Sequence, residues 1–174
     1  MQLKLMEKKV KKAKRGDEKA FQELIHQEKN KLYRMAYMYV KNENDALDIV
    51  QDAIYKAFIS INALKNPQYF STWLSRILIN TALDFIKKNE RIILTNEVDI
   101  LSKEQNLGIE EKMDLAGAIE RLDVSYKTVI ILRYYQDLTI KQIAEMLHCP
   151  EGTIKTRLHR AINLLKSDLR EGCI

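Results

Sequence analysis

Side chains able to do covalent or metal chemistry are few in this sequence and stand apart from one another. The three histidines, His26, His148 and His159, are not grouped at metal-ligand spacing, and no Ser, Cys or Lys nucleophile has a plausible base beside it. Cys149 and Cys173 form no CxxC pair and sit in unrelated contexts, so a disulfide framework is not expected and a reducing compartment is. Cys149, next to Pro150, is expected to be a small buried hydrophobe rather than a redox sensor or ligand, and His26 a helix-surface residue. The expectation is a non-enzyme, with no catalytic residue, metal, cofactor or small-molecule substrate.

What the sequence does offer is binding chemistry, concentrated between Leu138 and Ala161. Ile140, Ile143, Ala144 and Leu147 form one apolar stripe at helical spacing, with small Ala144 permitting close approach of a crossing helix. His148 to Gly152 supply a turn, and Ile154, Leu158, Ala161 and Leu165 bury the helix that follows. This is the pattern of a helix-turn-helix. The inward set leaves Lys155, Thr156, His159 and Arg160 facing out, with Arg157 at the edge and Thr153 at the start. Lys and Arg pair with phosphate or guanine, and Thr bonds a base edge or touches a thymine methyl. A cationic helix face with no turn motif is ordinarily just solvated; with the motif, the expectation is a helix that enters the major groove.

These residues need helices to hold them, and the composition supplies helices. The 174 residues are 46% hydrophobic and 30% charged with five Gly and two Pro, which fits a folded helical protein and excludes disordered and collagen-like classes. A net charge of +5 favours polyanionic partners without requiring them. Asp17 and Glu18 read as the cap and acidic first turn of a long helix carrying Phe21, Leu24, Ile25, Leu32, Met35, Ala36, Tyr39 and Val40. After a polar break at 41–44, Ala46, Leu47, Ile49, Val50, Ala53, Ile54, Ala57, Phe58 and Ile61 repeat the period. Pro67 sits near the start of a third helix bearing Phe70, Trp73, Leu74, Ile77, Leu78, Ala82, Phe85 and Ile86. Trp73, three residues from Phe70 and four from Ile77, is expected in the core. Periodicity weakens from Arg91 to about Gly108 and returns from Ile109. The fold class is therefore all-α: a bundle over 1–90, a flexible linker over 91–108 and a second helical domain over 109–174.

Four ordered stretches carry a family resemblance: Gly16-Asp-Glu-Lys-Ala-Phe21, Asp45-Ala-Leu-Asp-Ile-Val-Gln-Asp52, Phe70-Ser-Thr-Trp-Leu-Ser-Arg-Ile77 with Asn80, and Cys149-Pro-Glu-Gly-Thr-Ile-Lys-Thr-Arg157. Together they resemble the extracytoplasmic-function group of the sigma-70 family, the smallest bacterial sigma factors. The resemblance implies a factor that binds core RNA polymerase and directs promoter-specific initiation of a stress or envelope-response regulon. It makes 1–90 region 2 and 109–174 region 4. Asp45, Asp48 and Asp52 lie at i, i+3 and i+7 with Gln51 beside them. Spacing alone favours a solvated acidic stripe; the resemblance makes Asp45, Asp48, Gln51 and Asp52 the contact to the clamp helices of the largest polymerase subunit. It likewise implies that Leu64, Lys65, Asn66 and Asn80 help form a pocket for a flipped −10 base, that Arg76, Lys87 and Lys88 attend that strand, and that Thr153, Lys155, Thr156, Arg157, His159 and Arg160 read the −35 element. Single- and double-stranded promoter DNA are thus both partners. An anti-sigma factor, often membrane-anchored in this group, is a further implied partner.

Other classes fit less well. A ligand- or phosphorylation-controlled regulator would need a receiver or small-molecule domain, and the first 90 residues show neither βα alternation nor a glycine-rich ligand loop. A protein-only module is separated by salt, because phosphate contacts give a log-affinity slope of about −0.9 per neutralised phosphate. The basic N-terminal run lacks the apolar core and cleavage site of a signal peptide, so the expected location is cytoplasmic.

Overall fold

The computed structural model describes residues 2–95 and 115–171. They form helices and connecting turns, with no strand among the described residues. The chain separates into two compact units, Met1–Lys88 and Asn89–Ile174.

The first unit contains α1 (Gln2–Ala13), α2 (Glu18–Val40), α3 (Glu43–Ser60) and most of α4 (Phe70–Thr95). Two short 3-10 turns, Ile61–Ala63 and Pro67–Tyr69, lead from α3 to α4. Local chemistry sets the boundaries. Asp17 caps α2 by accepting from the Ala20 amide at 3.0 Å, and Asn42 caps α3 by accepting from Asp45 at 3.0 Å. Between them Lys41 closes α2 in the left-handed conformation (φ 53°), its amide donating to the Tyr37 carbonyl. The polar break at 41–44 is thus a C-cap followed directly by an N-cap. α1 was not foreseen as a helix; Val10 and Ala13, at i and i+3, are buried, and α1 packs on α2 and on the Pro67–Tyr69 turn.

The core of this unit is built from Leu24, Leu32, Met35, Ile49, Phe70, Leu74, Leu78 and Ile79, all almost fully buried. Two residues expected inside lie largely outside: Leu47 is 48% exposed and Phe58 46% exposed. Phe58 rests edge-on against Phe21, ring centroids 5.2 Å apart. Trp73 is half-buried rather than sealed in, tilted against Phe70 at 6.0 Å. α4 continues to Thr95, through the first five residues of the span expected as linker; 96–108 lie outside the described residues.

The second unit holds α5 (Leu115–Arg121), α6 (Val124–Ile130), α7 (Ile140–Leu147) and α8 (Glu151–Glu171). α6 widens into a π-helical turn over Ile131–Tyr135. Its core is Ile119, Val129, Ile130, Ile131, Leu132, Ile143, Ile154 and Ala161. Arg121 on α5 pairs with Asp168 on α8 at 3.2 Å. Thr139 and Gln142 form a reciprocal capping box at the start of α7. Thr139→Ala removes the cap and is expected to destabilise this unit by about 1 kcal/mol, read as a lower denaturant midpoint at unchanged slope.

Candidate nucleic-acid interface and the acidic helix face

α7, the turn and α8 meet as the sequence leads one to expect. His148 ends α7 in the left-handed conformation (φ 52°), its amide donating to the Ala144 carbonyl, and the Cys149 amide donates to the same carbonyl at 3.0 Å. The Pro150 carbonyl then accepts from Thr153 and Ile154 and starts α8. Ile143, Ala144, Ile154, Leu158 and Ala161 are buried in the crossing, joined by Met146, while Ile140 and Leu147 are only half-buried.

That crossing leaves Lys155, Thr156, His159 and Arg160 exposed on α8, with Thr153 and Arg157 half-buried beside them. Side-chain bonds tune what each can offer. The Thr156 hydroxyl donates to the Gly152 carbonyl at 2.9 Å, so its oxygen faces out chiefly as an acceptor. His159 Nδ1 lies 3.3 Å from the Asn163 amide nitrogen, so Asn163 engages one ring nitrogen and leaves Nε2 for a ligand. Arg157 Nη1 donates to Cys149 Sγ at 3.9 Å. Cys149 is half-exposed and not the buried hydrophobe expected, because it lies in the turn and not beneath it. Thr153, Thr156, Arg157 and Arg160 line an open cleft of 520 Å³ together with Ser125 and Tyr126 at the start of α6. Those two hydroxyls were missed, because nothing in the sequence joins α6 to α8.

In the first unit the loop before α4 presents Lys65 and Asn66 to solvent, and Asn66 makes no side-chain cap bond. Leu64 is different: its side chain is 4% exposed and faces the core, and its carbonyl accepts from Lys14 Nζ at 2.8 Å. On α4, half-buried Arg76 and exposed Asn80 and Lys87 fall at i, i+4 and i+11, one stripe on one face. Lys88 is turned about 100° from Lys87. It lines a 260 Å³ cleft with Asp48, Asp52, Lys56, Thr81 and Asp84. The structure thus brings Arg76, Asn80 and Lys87 together and separates Lys88 from them.

α3 carries the acidic face. Asp48, Gln51 and Asp52 are exposed and Asp45 half-buried. Asp52 pairs with Lys56 at 2.8 Å, and Lys56 also donates to buried Thr81 at 3.2 Å. Tyr55 and Ile59, 63% and 62% exposed, at i+7 and i+11 from Asp48, continue the same side of the helix toward its C-terminus. They make a short apolar strip that the acidic spacing did not disclose, while exposed Leu47 and Phe58 lie roughly 60–120° around the helix from it.

Comparison with known proteins matches both units. The sigma-70 region 2 family covers residues 24–92 and the sigma-70 region 4 family residues 112–165. RNA polymerase sigma factor SigV of Bacillus subtilis is 38% identical over 83% of this chain and 88% of its own length. The ECF RNA polymerase sigma factor SigW of the same organism is 31% identical over 96% of this chain and 98% of its own. Among solved structures, the sigma factor RpoE of Bartonella quintana, crystallised with the anti-sigma factor NepR, shares the fold with a TM-score of 0.71 at 24% identity, over 87% of this chain and 98% of that one. With both halves matched and the order of the two regions kept, the chain belongs to the sigma-70 family, in its extracytoplasmic-function group of RNA polymerase sigma factors.

Proposed function

We propose that this initiation factor divides its work among three surfaces: α3 for core RNA polymerase, α4 and the loop before it for the −10 element, and α8 for the −35 element. As a sigma factor it binds the core enzyme and directs promoter-specific initiation, and it is not itself an enzyme. The observation that carries the division is the α8 face, where four exposed polar residues stand opposite a continuous buried stripe. An α-helix fits the major groove, and phosphate contacts fix its register while base contacts give sequence preference. In this reading Lys155, Thr156, His159 and Arg160 meet the −35 bases and backbone, and Thr153 and Arg157 support them from the edge.

Lys65, Asn66 and Asn80 are assigned to a single-stranded −10 base, with Leu64 anchoring the loop from beneath. Capturing an extruded base offsets its unstacking cost of a few kcal/mol, so binding and melting are one step. Arg76 and Lys87 are placed on the accompanying phosphates, and Lys88 on backbone passing the α3–α4 cleft. Asp45, Asp48, Gln51 and Asp52, with the apolar strip that follows them along α3, form the polymerase contact. An apolar strip rimmed by charge is also what a competing protein would cover, which supports an anti-sigma partner, as RpoE of B. quintana has in NepR. No helix among the described residues is long and apolar enough to cross a membrane, and the reading places the protein in the cytoplasm with polymerase and chromosome.

Run-off transcription from a library of randomised promoters, with purified core polymerase, tests the whole reading. Initiation dependent on the protein, with selected sequences at both elements, is the expected result. A protein that binds neither core nor DNA would sink it.

A further inference from the structure

We propose that Lys14 is a positioning residue for the −10 loop, fixing from below the backbone that presents Lys65 and Asn66. The proposal rests on the reading of that loop as the −10 contact. Between the two 3-10 turns Leu64 and Asn66 are extended, with ψ 105° and 111°. A carbonyl in extended backbone has no helical partner by default and is met by water, by a neighbouring turn or by a donor from elsewhere in the chain. The Leu64 amide donates to the Ile61 carbonyl at 3.2 Å, and the Asn66 carbonyl accepts from Tyr69 at 3.0 Å. The Leu64 carbonyl is met by the Lys14 ammonium at 2.8 Å, from a residue 50 positions earlier in the chain. A charged donor makes this the stronger kind of hydrogen bond.

Lys14 is itself held in place. It follows α1 directly, its amide donating to the Val10 carbonyl at 2.9 Å. Gly16 turns the chain at φ 91°, a conformation that side chains resist, and Asp17 then caps α2. The Gly16 and Asp17 amides donate to the Ala13 and Lys12 carbonyls at 3.0 and 3.2 Å, so this pair closes α1 beside Lys14. α1 also packs on the Pro67–Tyr69 turn, and Ile61 and Leu64 bury their side chains on either side of Asn62 and Ala63. The loop is pinned by apolar anchors at its start, by a cation at its middle and by the α1 shelf at its end. Its exposed residues are thereby aimed by a helix lying outside the matched region 2 span of 24–92. Hydrogen bonds to a base edge tolerate only a few tenths of an ångström, so slack in this backbone reaches base choice directly.

The test uses the full-length protein with core polymerase on templates randomised across the −10 element, scored by transcript sequencing and by permanganate reactivity of the open complex. Lys14→Met keeps the stem and removes the donor. It is expected to lower open-complex formation about tenfold and flatten the base ranking, with core binding and −35 duplex binding within about twofold of the parent. Lys14→Arg, which keeps a cationic donor, should recover most of the ranking. If Lys65→Ala or Asn66→Ala changes the ranking and Lys14→Met does not, Lys14 has no positioning role and the loop reading stands. If none of the three changes it, the loop reading fails and this proposal with it. A parallel loss of core binding, −35 binding and thermal stability in Lys14→Met and Lys14→Arg alike would make the residue structural only and overturn the proposal.

Discussion

Arg160→Ala is expected to weaken binding to a −35 duplex by roughly 5- to 150-fold, the cost of one base or phosphate contact of about 1–3 kcal/mol, while binding to core polymerase stays unchanged. Arg160 is the cleaner probe of α8 because it is exposed, whereas half-buried Arg157 also donates to Cys149 in the turn. Titration with salt says which contact was lost. If Arg160 sits on a phosphate, the slope of log affinity against log salt falls by about 0.9 and all sequences weaken alike. If it reads a base, the slope holds and preference relaxes at a single position. Fluorescence anisotropy on matched and scrambled duplexes measures both. Equal loss of duplex and core binding would contradict the assignment of α8 to DNA.

How much of this was legible in the sequence depended on how local the cause was. Asp17 as a cap, the first helix of the helix-turn-helix over Ile140–Leu147 and the buried stripe Ile154–Leu158–Ala161 each follow from residues within a turn or two of one another, and each appears where expected. α1 had a signal that went unused: Met6, Val10 and Ala13 fall at i, i+4 and i+7, but the surrounding lysines read as a basic tail. The Lys14–Leu64 bond and the Ser125–Tyr126 wall of the α8 cleft span long separations, and no local pattern encodes either. α3 shows a subtler limit. A helix apolar on several sides satisfies the 3.6-residue period in more than one way, so type alone placed Leu47 and Phe58 inside with Ala46 and Ala57. Packing is what divides the residues that build the core from those left for a partner.

That division decides the second expected result. Tyr55→Ala or Ile59→Ala should weaken core polymerase binding by about 30-fold or more, and Asp52→Ala by about fivefold or less. The acids are the more visible feature, yet charge exposed to water contributes little: pairs in that setting give about 0–1 kcal/mol. Asp52 has a partner already in Lys56, with side chains 51% and 42% exposed, so an incoming cation would first have to displace it. Tyr55 and Ile59 have no such competition. They are more than 60% exposed on the same side of the helix, and truncating a well-packed aromatic or aliphatic anchor at an interface costs about 2 kcal/mol or more. Alanine is the better helix former at both positions, so weakened binding could not be ascribed to a melted α3. Binding to the −35 duplex serves as the internal control and should not move. Larger losses from Asp48→Ala and Asp52→Ala than from the Tyr55 and Ile59 variants would assign the contact to charge, with the acids as the anchors and the apolar strip as their surround.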